Sequence, residues 1–194
     1  MSLIEIRIHG RGGQGNVVAA NLLAMAAFEV GRHGQAFPNF GAERRGAPVV
    51  AFVRIADRPI RRRCQVQTPA YLIIQDEALL HVPGVTDGLL PGGGVLINSA
   101  RPAEEFDLGA GVEVITLAAS ALAKEHLGRP VPNTALLAGF LALTNLFPTD
   151  ALIKVLGHKF RGELLERNTN LIREVAGRVP VGHWNKEMVH VEGA

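Results

Sequence analysis

The sequence predicts an α/β fold with three layers, in which helices cover both faces of a mostly parallel but mixed β-sheet. Three observations predict it: an alternating strand opens the chain, apolar strands follow with crossover segments between them, and the last third has helical periodicity. Hydrophobic residues make up 47% of the 194 residues, enough for one large core. We therefore expect a single domain over residues 1–178 and an extended tail over residues 179–194.

A glycine-rich turn links the first strand to the first helix. Ile4, Ile6 and Ile8 alternate with polar residues, and the apolar run from Asn16 to Val30 follows. Between them the sequence fits G-x-G-x-x-G, so the chain has a Rossmann-like start, in which backbone N–H groups can surround an anion at a helix N-terminus. The predicted cofactor-binding residues here are Gly10, Arg11, Gly12, Gly13, Gln14 and Gly15.

Several strands are expected after the first helix. A short strand over Gly34–Phe37 precedes Val49–Ile55 and Ile60–Val66, which alternate and predict an antiparallel hairpin around an Asp57–Pro59 turn. Cys64, in the second of these strands, is expected to be a small buried side chain. Buried strands follow over Ala70–Gln75, Val95–Asn98 and Val112–Leu117, and Glu77–His81 is expected to form one helical turn.

The last third predicts helices over Ala118–Leu127, Thr134–Leu146, 149–157 and Gly162–Ala176. Asn133 is the predicted N-cap of the second of these helices, which Pro148 stops. That helix is apolar nearly all round, so we expect it to be buried either in this domain or in a partner.

Composition excludes several classes of function. Residues 1–64 carry ten Arg and four acids, a balance of +6, but aromatic residues are scarce and no nucleic-acid-binding motif occurs, so no nucleic acid is expected as a partner. We see no membrane-spanning run and no signal peptide, and therefore expect a cytoplasmic protein with no membrane contact. The single cysteine excludes an internal disulfide or an iron–sulfur cluster within this sequence.

Neither a catalytic residue nor a metal site is predicted. The seven histidines lack metal-ligand spacing, and no nucleophile lies in a recognisable motif with a base. His9, beside Gly10, could contact a ligand or hold the loop by a hydrogen bond. No acid closes a second strand about 20 residues after the glycine turn, as a nicotinamide site requires. A stand-alone dinucleotide-binding oxidoreductase domain and a tight turn without ligand both stay open.

Two stretches together resemble a known family. Gly10–Gly15 and the segment Phe37–Val49, of the form F-P-x-[FY]-G-x-E-R-R-G-A-P-V, are similar to the gamma subunit of pyruvate:ferredoxin oxidoreductase and related 2-oxoacid oxidoreductases. Asn133–Leu137 and Gly162–Asn168 also look like family segments, so the resemblance covers nearly the whole chain. Phe40 stands where the family commonly has tyrosine, and the E-R-R-G-A-P-V form points to the pyruvate branch.

The resemblance implies a subunit of a larger enzyme. The complete enzyme oxidatively decarboxylates pyruvate with coenzyme A to acetyl-CoA and reduces ferredoxin. Alpha and beta subunits hold thiamine diphosphate, and the beta and delta subunits hold [4Fe–4S] clusters. This chain would then be a structural subunit that contributes to coenzyme A binding or access, through the glycine turn together with Glu43, Arg44 and Arg45. The equivalent subunit of a 2-oxoglutarate or branched-chain 2-oxoacid enzyme is the alternative.

Overall fold

A computed structural model describes residues 3–39 and 46–185 of the chain. Six strands form one sheet: β1 (Ile4–Arg11), β2 (His33–Asn39), β3 (Pro48–Ala56), β4 (Tyr71–Ile74), β5 (Gly94–Asn98) and β6 (Glu113–Leu117). Five α-helices accompany them: α1 (Asn16–Glu29), α2 (Ala119–Leu127), α3 (Asn133–Thr144), α4 (Asp150–Lys159) and α5 (Gly162–Arg178). Two 3₁₀ turns cover Glu77–His81 and Ala103–Glu105.

The sheet is mixed, as predicted, with the strand order β2-β3-β1-β4-β5-β6. β1, β4, β5 and β6 run parallel to one another, whereas β3 is antiparallel to both β1 and β2. β1 therefore lies where the parallel and antiparallel halves meet. The C-terminal ends of β1, β4 and β5 lie at one edge of the sheet, which is the place where open α/β folds bind ligands.

All five α-helices pack on one face of the sheet. Their buried side chains share a core with Ile4, Ile6 and Ile8 of β1. The opposite face is covered by the 3₁₀ turns and irregular segments, which pack on Leu72, Ile74, Val95 and Ile97. Both faces of the sheet are thus covered, as expected for three layers, but the α-helices lie on one face only. No helix within residues 3–39 and 46–185 is long and apolar enough to cross a bilayer.

Helix α3 is buried inside this chain. Every residue from Thr134 to Thr144 is buried, and α3 contacts α1, α2, α5 and β5. Of the two environments expected for the apolar helix, its own domain is therefore the one observed. Asn133 is the first residue of α3, and Pro132 is the N-cap, so the predicted N-cap is displaced by one residue. The Asn133 Oδ1 atom accepts a hydrogen bond from the Thr134 N–H at 2.7 Å.

The predicted hairpin has the wrong partner strand. β3 pairs with β2 and β1, and residues 60–66 form no strand. Arg54 of β3, which is buried, donates a hydrogen bond from Nη2 to the Cys64 carbonyl at 2.7 Å, so segment 60–66 contacts β3 through this side chain without pairing with it as a strand. The Cys64 side chain is exposed, so the expectation that it is buried is also wrong. Gly157 does not end α4, which continues to Lys159.

The beginning of the predicted tail is part of the core. The backbone N–H groups of Gly182 and Trp184 donate to the carbonyls of Ala142 and Leu143, beside the end of α3. Trp184 is 5% exposed, and its ring stacks on Tyr71 with the centroids 5.6 Å apart. Residues 179–185 therefore fold back onto the sheet, which differs from the extended course that we expected.

Candidate functional site

The glycine loop, residues 10–15, is held mostly by its own hydrogen bonds. The Arg11 N–H donates to Gln14 Oε1 at 2.7 Å, and the Gln14 N–H donates back to the Arg11 carbonyl at 3.0 Å. The Gly12 N–H donates to the Ala47 carbonyl at 2.9 Å, which ties the loop to the start of β3. An anion at this loop would therefore be bound by the remaining N–H groups, those of Gly13, Gly15 and the first turn of α1.

Glycine is required at different positions of this loop for different physical reasons. A Cβ on Gly10 would lie 2.2 Å from Asn16 Oδ1, and a Cβ on Gly15 would lie 2.8 Å from Asn133 Nδ2. Gly13 has a φ of 95°, and no described atom would lie within 4 Å of its Cβ. Packing thus explains Gly10. Gly15 has both a close neighbour and a φ of 80°, whereas at position 13, where the surroundings are open, only φ favours glycine.

The starts of three helices converge on this edge of the sheet. Gly15 precedes α1 and packs against Asn133 of α3. Asn98, at the end of β5, accepts a hydrogen bond at Oδ1 from the Ser120 N–H of α2 and donates from Nδ2 to the Gln75 carbonyl. The positive ends of helix dipoles favour negative charge, so the edge suits an anion.

Gln75 and Asp76 follow β4 directly at this edge. The Gln75 side chain is 1% exposed, and neither of its polar atoms has a partner among the described residues. Asp76 accepts from Arg11 Nε at 2.5 Å through Oδ2 and from the Ala78 N–H at 3.0 Å through Oδ1. Arg11 also donates from Nη1 to the Gly46 carbonyl at 3.2 Å. Asp76 therefore neutralises the predicted anion-binding Arg11.

His9 lies beside the loop on the face of β1 away from the α-helices. Its imidazole is 5% exposed, and burial, together with the nearby charge of Arg7, lowers its pKa from 6.5 to about 3. The ring is consequently neutral at neutral pH. Its Nε2 has no partner within the described part of the chain. His9 Nε2 therefore does not hold the loop by a hydrogen bond to a described residue.

The structure brings some predicted residues together and leaves others out. The six predicted residues of the glycine turn lie together in one loop, whereas Glu43, Arg44 and Arg45 lie outside the described residues. Sequence reasoning missed the roles of Gln75, Asp76 and Asn98. Gln75 and Asp76 follow the apolar strand β4, and Asn98 is the last residue of β5, so their position at strand ends was the available signal. No group of three His, Cys, Asp or Glu in the described ranges could hold a metal ion.

Comparison with known proteins identifies the family. The family model described as pyruvate ferredoxin/flavodoxin oxidoreductase matches residues 5–177. The chain belongs to this family. Among curated family members, the pyruvate synthase subunit PorC of Methanothermobacter thermautotrophicus is 48% identical over 171 residues, which are 88% of this chain and 93% of that protein. The pyruvate/ketoisovalerate oxidoreductases common subunit gamma of Thermococcus kodakarensis is 43% identical over 92% of this chain and 98% of its own.

Solved structures of the family have the same fold. The pyruvate oxidoreductase subunit PorC of Thermotoga maritima superimposes with a TM-score of 0.81 and 33% identity, over 91% of this chain and 97% of that one. The 2-oxoglutarate:ferredoxin oxidoreductase of Magnetococcus marinus superimposes with a TM-score of 0.77 at 22% identity, over 98% of this chain and 32% of that one. At that identity the second likeness concerns the fold alone.

Proposed function

We propose that this chain is the gamma subunit of a multi-subunit oxidoreductase that converts pyruvate and coenzyme A to acetyl-CoA and passes electrons to ferredoxin. The single observation that carries the proposal is the 48% identity to a pyruvate synthase subunit across 93% of that protein. The solved PorC structure, at 33% identity over 91% of this chain, is also that of a pyruvate oxidoreductase subunit. The Thermococcus relative is named as common to pyruvate and ketoisovalerate enzymes, so the choice of 2-oxoacid would lie in the partner subunits.

The partner subunits would supply the cofactors. On the family resemblance, thiamine diphosphate belongs to the alpha and beta subunits and the [4Fe–4S] clusters to the beta and delta subunits. The complex would act in the cytoplasm. This chain would then complete the assembly and approach coenzyme A, an anion with several phosphate groups, at its glycine-loop edge.

A stand-alone dinucleotide-binding domain fits the geometry less well. Such a site uses a free acid at the end of the strand parallel to and beside the first, to hold the ribose. Asp76 follows β4, the parallel neighbour of β1, but both of its carboxylate oxygens already accept hydrogen bonds, from Arg11 and from the Ala78 N–H.

The assignment is tested on the native assembly. The tagged chain is purified without oxygen from its own cells, its partners are identified by mass spectrometry, and the complex is assayed with viologen dye. Pyruvate should support coenzyme A-dependent dye reduction at least 10-fold faster than 2-oxoglutarate or 2-oxoisovalerate, on the order of the discrimination that a single substrate group gives. A complex active on 2-oxoglutarate and inactive on pyruvate would show that the pyruvate assignment is wrong.

The coenzyme A role is tested at Gly13. A methyl group there projects into open space beside the remaining loop N–H groups, so Gly13→Ala should raise the KM for coenzyme A by about 10-fold, the value of one charge-assisted hydrogen bond, with the KM for pyruvate unchanged. Gly109→Ala is the matched control, because Gly109 has a φ of 96° and equally open surroundings. If Gly13→Ala and Gly109→Ala had the same KM for coenzyme A, the proposed role of the glycine loop in coenzyme A binding would be contradicted. Glu43, Arg44 and Arg45 stay proposed coenzyme A contacts on the resemblance alone.

A further inference from the structure

An open groove with several arginines lies at the edge of the sheet opposite the glycine loop. Leu3, directly before β1, and Ala56, the last residue of β3, line it at that edge. The segment after β3 supplies the rest of the lining, which is Arg58, Pro59, Ile60, Arg61 and Arg62, and the volume is about 360 Å³. A strand rises about 3.4 Å per residue, so the eight residues of β1 put roughly 24 Å between this groove and the glycine loop.

The positive charge of this surface is concentrated and is carried by arginine. Residues 57–63 contain four arginines and one acid, Asp57. Asp57 Oδ1 lies 3.8 Å from Nε of Arg32, which is a further arginine outside this run. The first 64 residues contain no lysine. Arginine presents a planar fork of N–H donors that matches both oxygens of a carboxylate, whereas lysine is a point charge.

Arg61 and Arg63 are the accessible arginines of this run. Both are exposed, and no ion pair between described residues involves either of them. Arg58 and Arg62 take part in other interactions, so the inference does not depend on them. Beside these charges, the exposed Pro59 and the half-buried Ile60 give the groove an apolar lining. Apolar contacts surrounded by polar groups, with arginine enriched, are typical of protein interfaces.

We propose that this groove docks an acidic segment of a neighbouring subunit of the oxidoreductase, with its carboxylates paired to Arg61 and Arg63. The proposal rests on the multi-subunit assembly proposed above. A phosphate ion would use the arginines alone, and a nucleic acid would stack its bases on aromatic rings, which the described lining residues lack. A protein segment uses both the charge and the apolar lining. The described residues expose few large apolar side chains, so assembly through charged contacts agrees with the rest of the surface.

Cross-linking of the assembled complex tests the contact directly. Arg61→Lys and Arg63→Lys keep the positive charge and supply an amine, which carbodiimide joins to a carboxylate in contact with it. Residues 1–123 contain no other lysine, so the product is unambiguous within this part of the chain. Mass spectrometry should find the new lysine joined to an aspartate or glutamate of another subunit.

A matched variant shows whether the link is specific to the groove. Arg129→Lys replaces an equally exposed arginine after α2, and it should give no such link. The proposal is overturned if Arg61→Lys and Arg63→Lys give no link to another subunit, if they link only within this chain, or if Arg129→Lys links to another subunit equally.

Cys64 reports whether the groove is covered in the complex. It is the only cysteine of the sequence, it is exposed, and it directly follows Arg63. N-ethylmaleimide should modify it readily in the isolated chain, and the reaction should be largely lost in the assembled complex, as measured by the mass of this chain. Equal modification in both states would contradict docking at this groove.

Removing the charges measures their contribution to assembly. The double variant Arg61→Gln and Arg63→Gln should bind the immobilised partner subunits about 10-fold more weakly, whereas Arg129→Gln should bind as the unmodified chain does. The difference should shrink as salt rises from about 0.1 M to about 1 M, because the Debye length falls from about 10 Å to about 3 Å. Equal affinity of the two glutamine variants would overturn the proposal. A complex that turns over pyruvate while Cys64 stays reactive would contradict the docking surface and leave the oxidoreductase assignment standing.

Discussion

At the scale of single residues, His9 couples folding to pH. Its pKa is about 3 in the folded chain and near 6.5 when the chain is unfolded, because burial and Arg7 disfavour the imidazolium. Between these values the unfolded state binds more protons, so the free energy of unfolding falls as the pH drops below 6.5. The loss approaches 1.4 kcal/mol per pH unit, or roughly 2–3 kcal/mol from pH 6.5 to pH 4.5.

Urea unfolding at pH 7 and pH 4.5 measures this contribution. His9→Gln should lose less stability over that interval than the unmodified chain, by about 2 kcal/mol. His81→Gln, which replaces an exposed histidine, is the control, and its free energy of unfolding should change with pH as much as that of the unmodified chain. An unchanged pH dependence in His9→Gln would show that its imidazole is protonated in the folded chain.

The residue contacts also show what a sequence reveals of a site. Residues 10–15 are predictable because the strand, turn and helix that define the loop are consecutive. The ion pair between Glu5 and Arg54, with Nε and Oε1 at 2.6 Å and both side chains buried, joins residues 49 positions apart. Alternation marks Glu5 as polar, but only the pairing of β1 with β3 brings its partner opposite. Strand order likewise brings Asp76, which follows β4, to Arg11 of the loop.

At the scale of elements, local patterns predicted strands and helices well and pairings poorly. β1 coincides with the alternating segment that opens the chain, and β4, β5 and β6 each coincide with a predicted apolar strand. The predicted partner strand of β3 was wrong. Segment 60–66 and β2 both follow turn signals, and the alternation of apolar and polar residues cannot decide which of them pairs with β3. Tertiary packing chooses: β2 lies against α1 so closely that a Cβ on Gly34 would meet the Ala24 carbonyl oxygen at 2.3 Å.

Residues 179–185 act as an element of the core, which leads to a stability prediction. Trp184 stacks on Tyr71, and a Cβ on Gly94 would meet its ring at 2.6 Å. Trp184→Ala should therefore lower the free energy of unfolding by about 3–5 kcal/mol, through lost burial and the cavity left behind. Val181→Ala, at a side chain that is 67% exposed, should change it by less than about 0.5 kcal/mol. Urea unfolding followed by circular dichroism compares the variants.

Tryptophan fluorescence of the unmodified chain is a second measurement of how residues 179–185 unfold, because Trp184 is the only tryptophan in the sequence. If residues 179–185 belong to the core, the fluorescence and circular dichroism transitions in urea should coincide. A fluorescence transition at lower urea, together with a small effect of Trp184→Ala, would mean that this segment detaches before the domain unfolds.

At the scale of the whole molecule, the surface offered to partners differs from the one that the sequence suggested. α3, the most apolar helix, is enclosed by the chain itself and supplies no interface. The exposed large apolar side chains of the described residues are few: Val18, Phe28, Val30, Leu164 and Val181. Three of them lie on α1 or directly after it. Contact with the other subunits would thus depend more on polar surface and on α1 than on one broad apolar face.

The final prediction concerns what the chain does alone and in the assembly. Its described residues provide N–H groups and helix starts for an anion, but no group of three metal-ligating side chains and no nucleophile paired with a base. The purified chain should therefore give no pyruvate- and coenzyme A-dependent reduction of viologen dye, and the partner subunits without it should lose most of their activity. Adding back the unmodified chain or Gly109→Ala should restore the rate, whereas Gly13→Ala should restore it only at raised coenzyme A. Turnover by the chain alone would contradict a non-catalytic role, and full activity of the partners without it would contradict a need for this subunit.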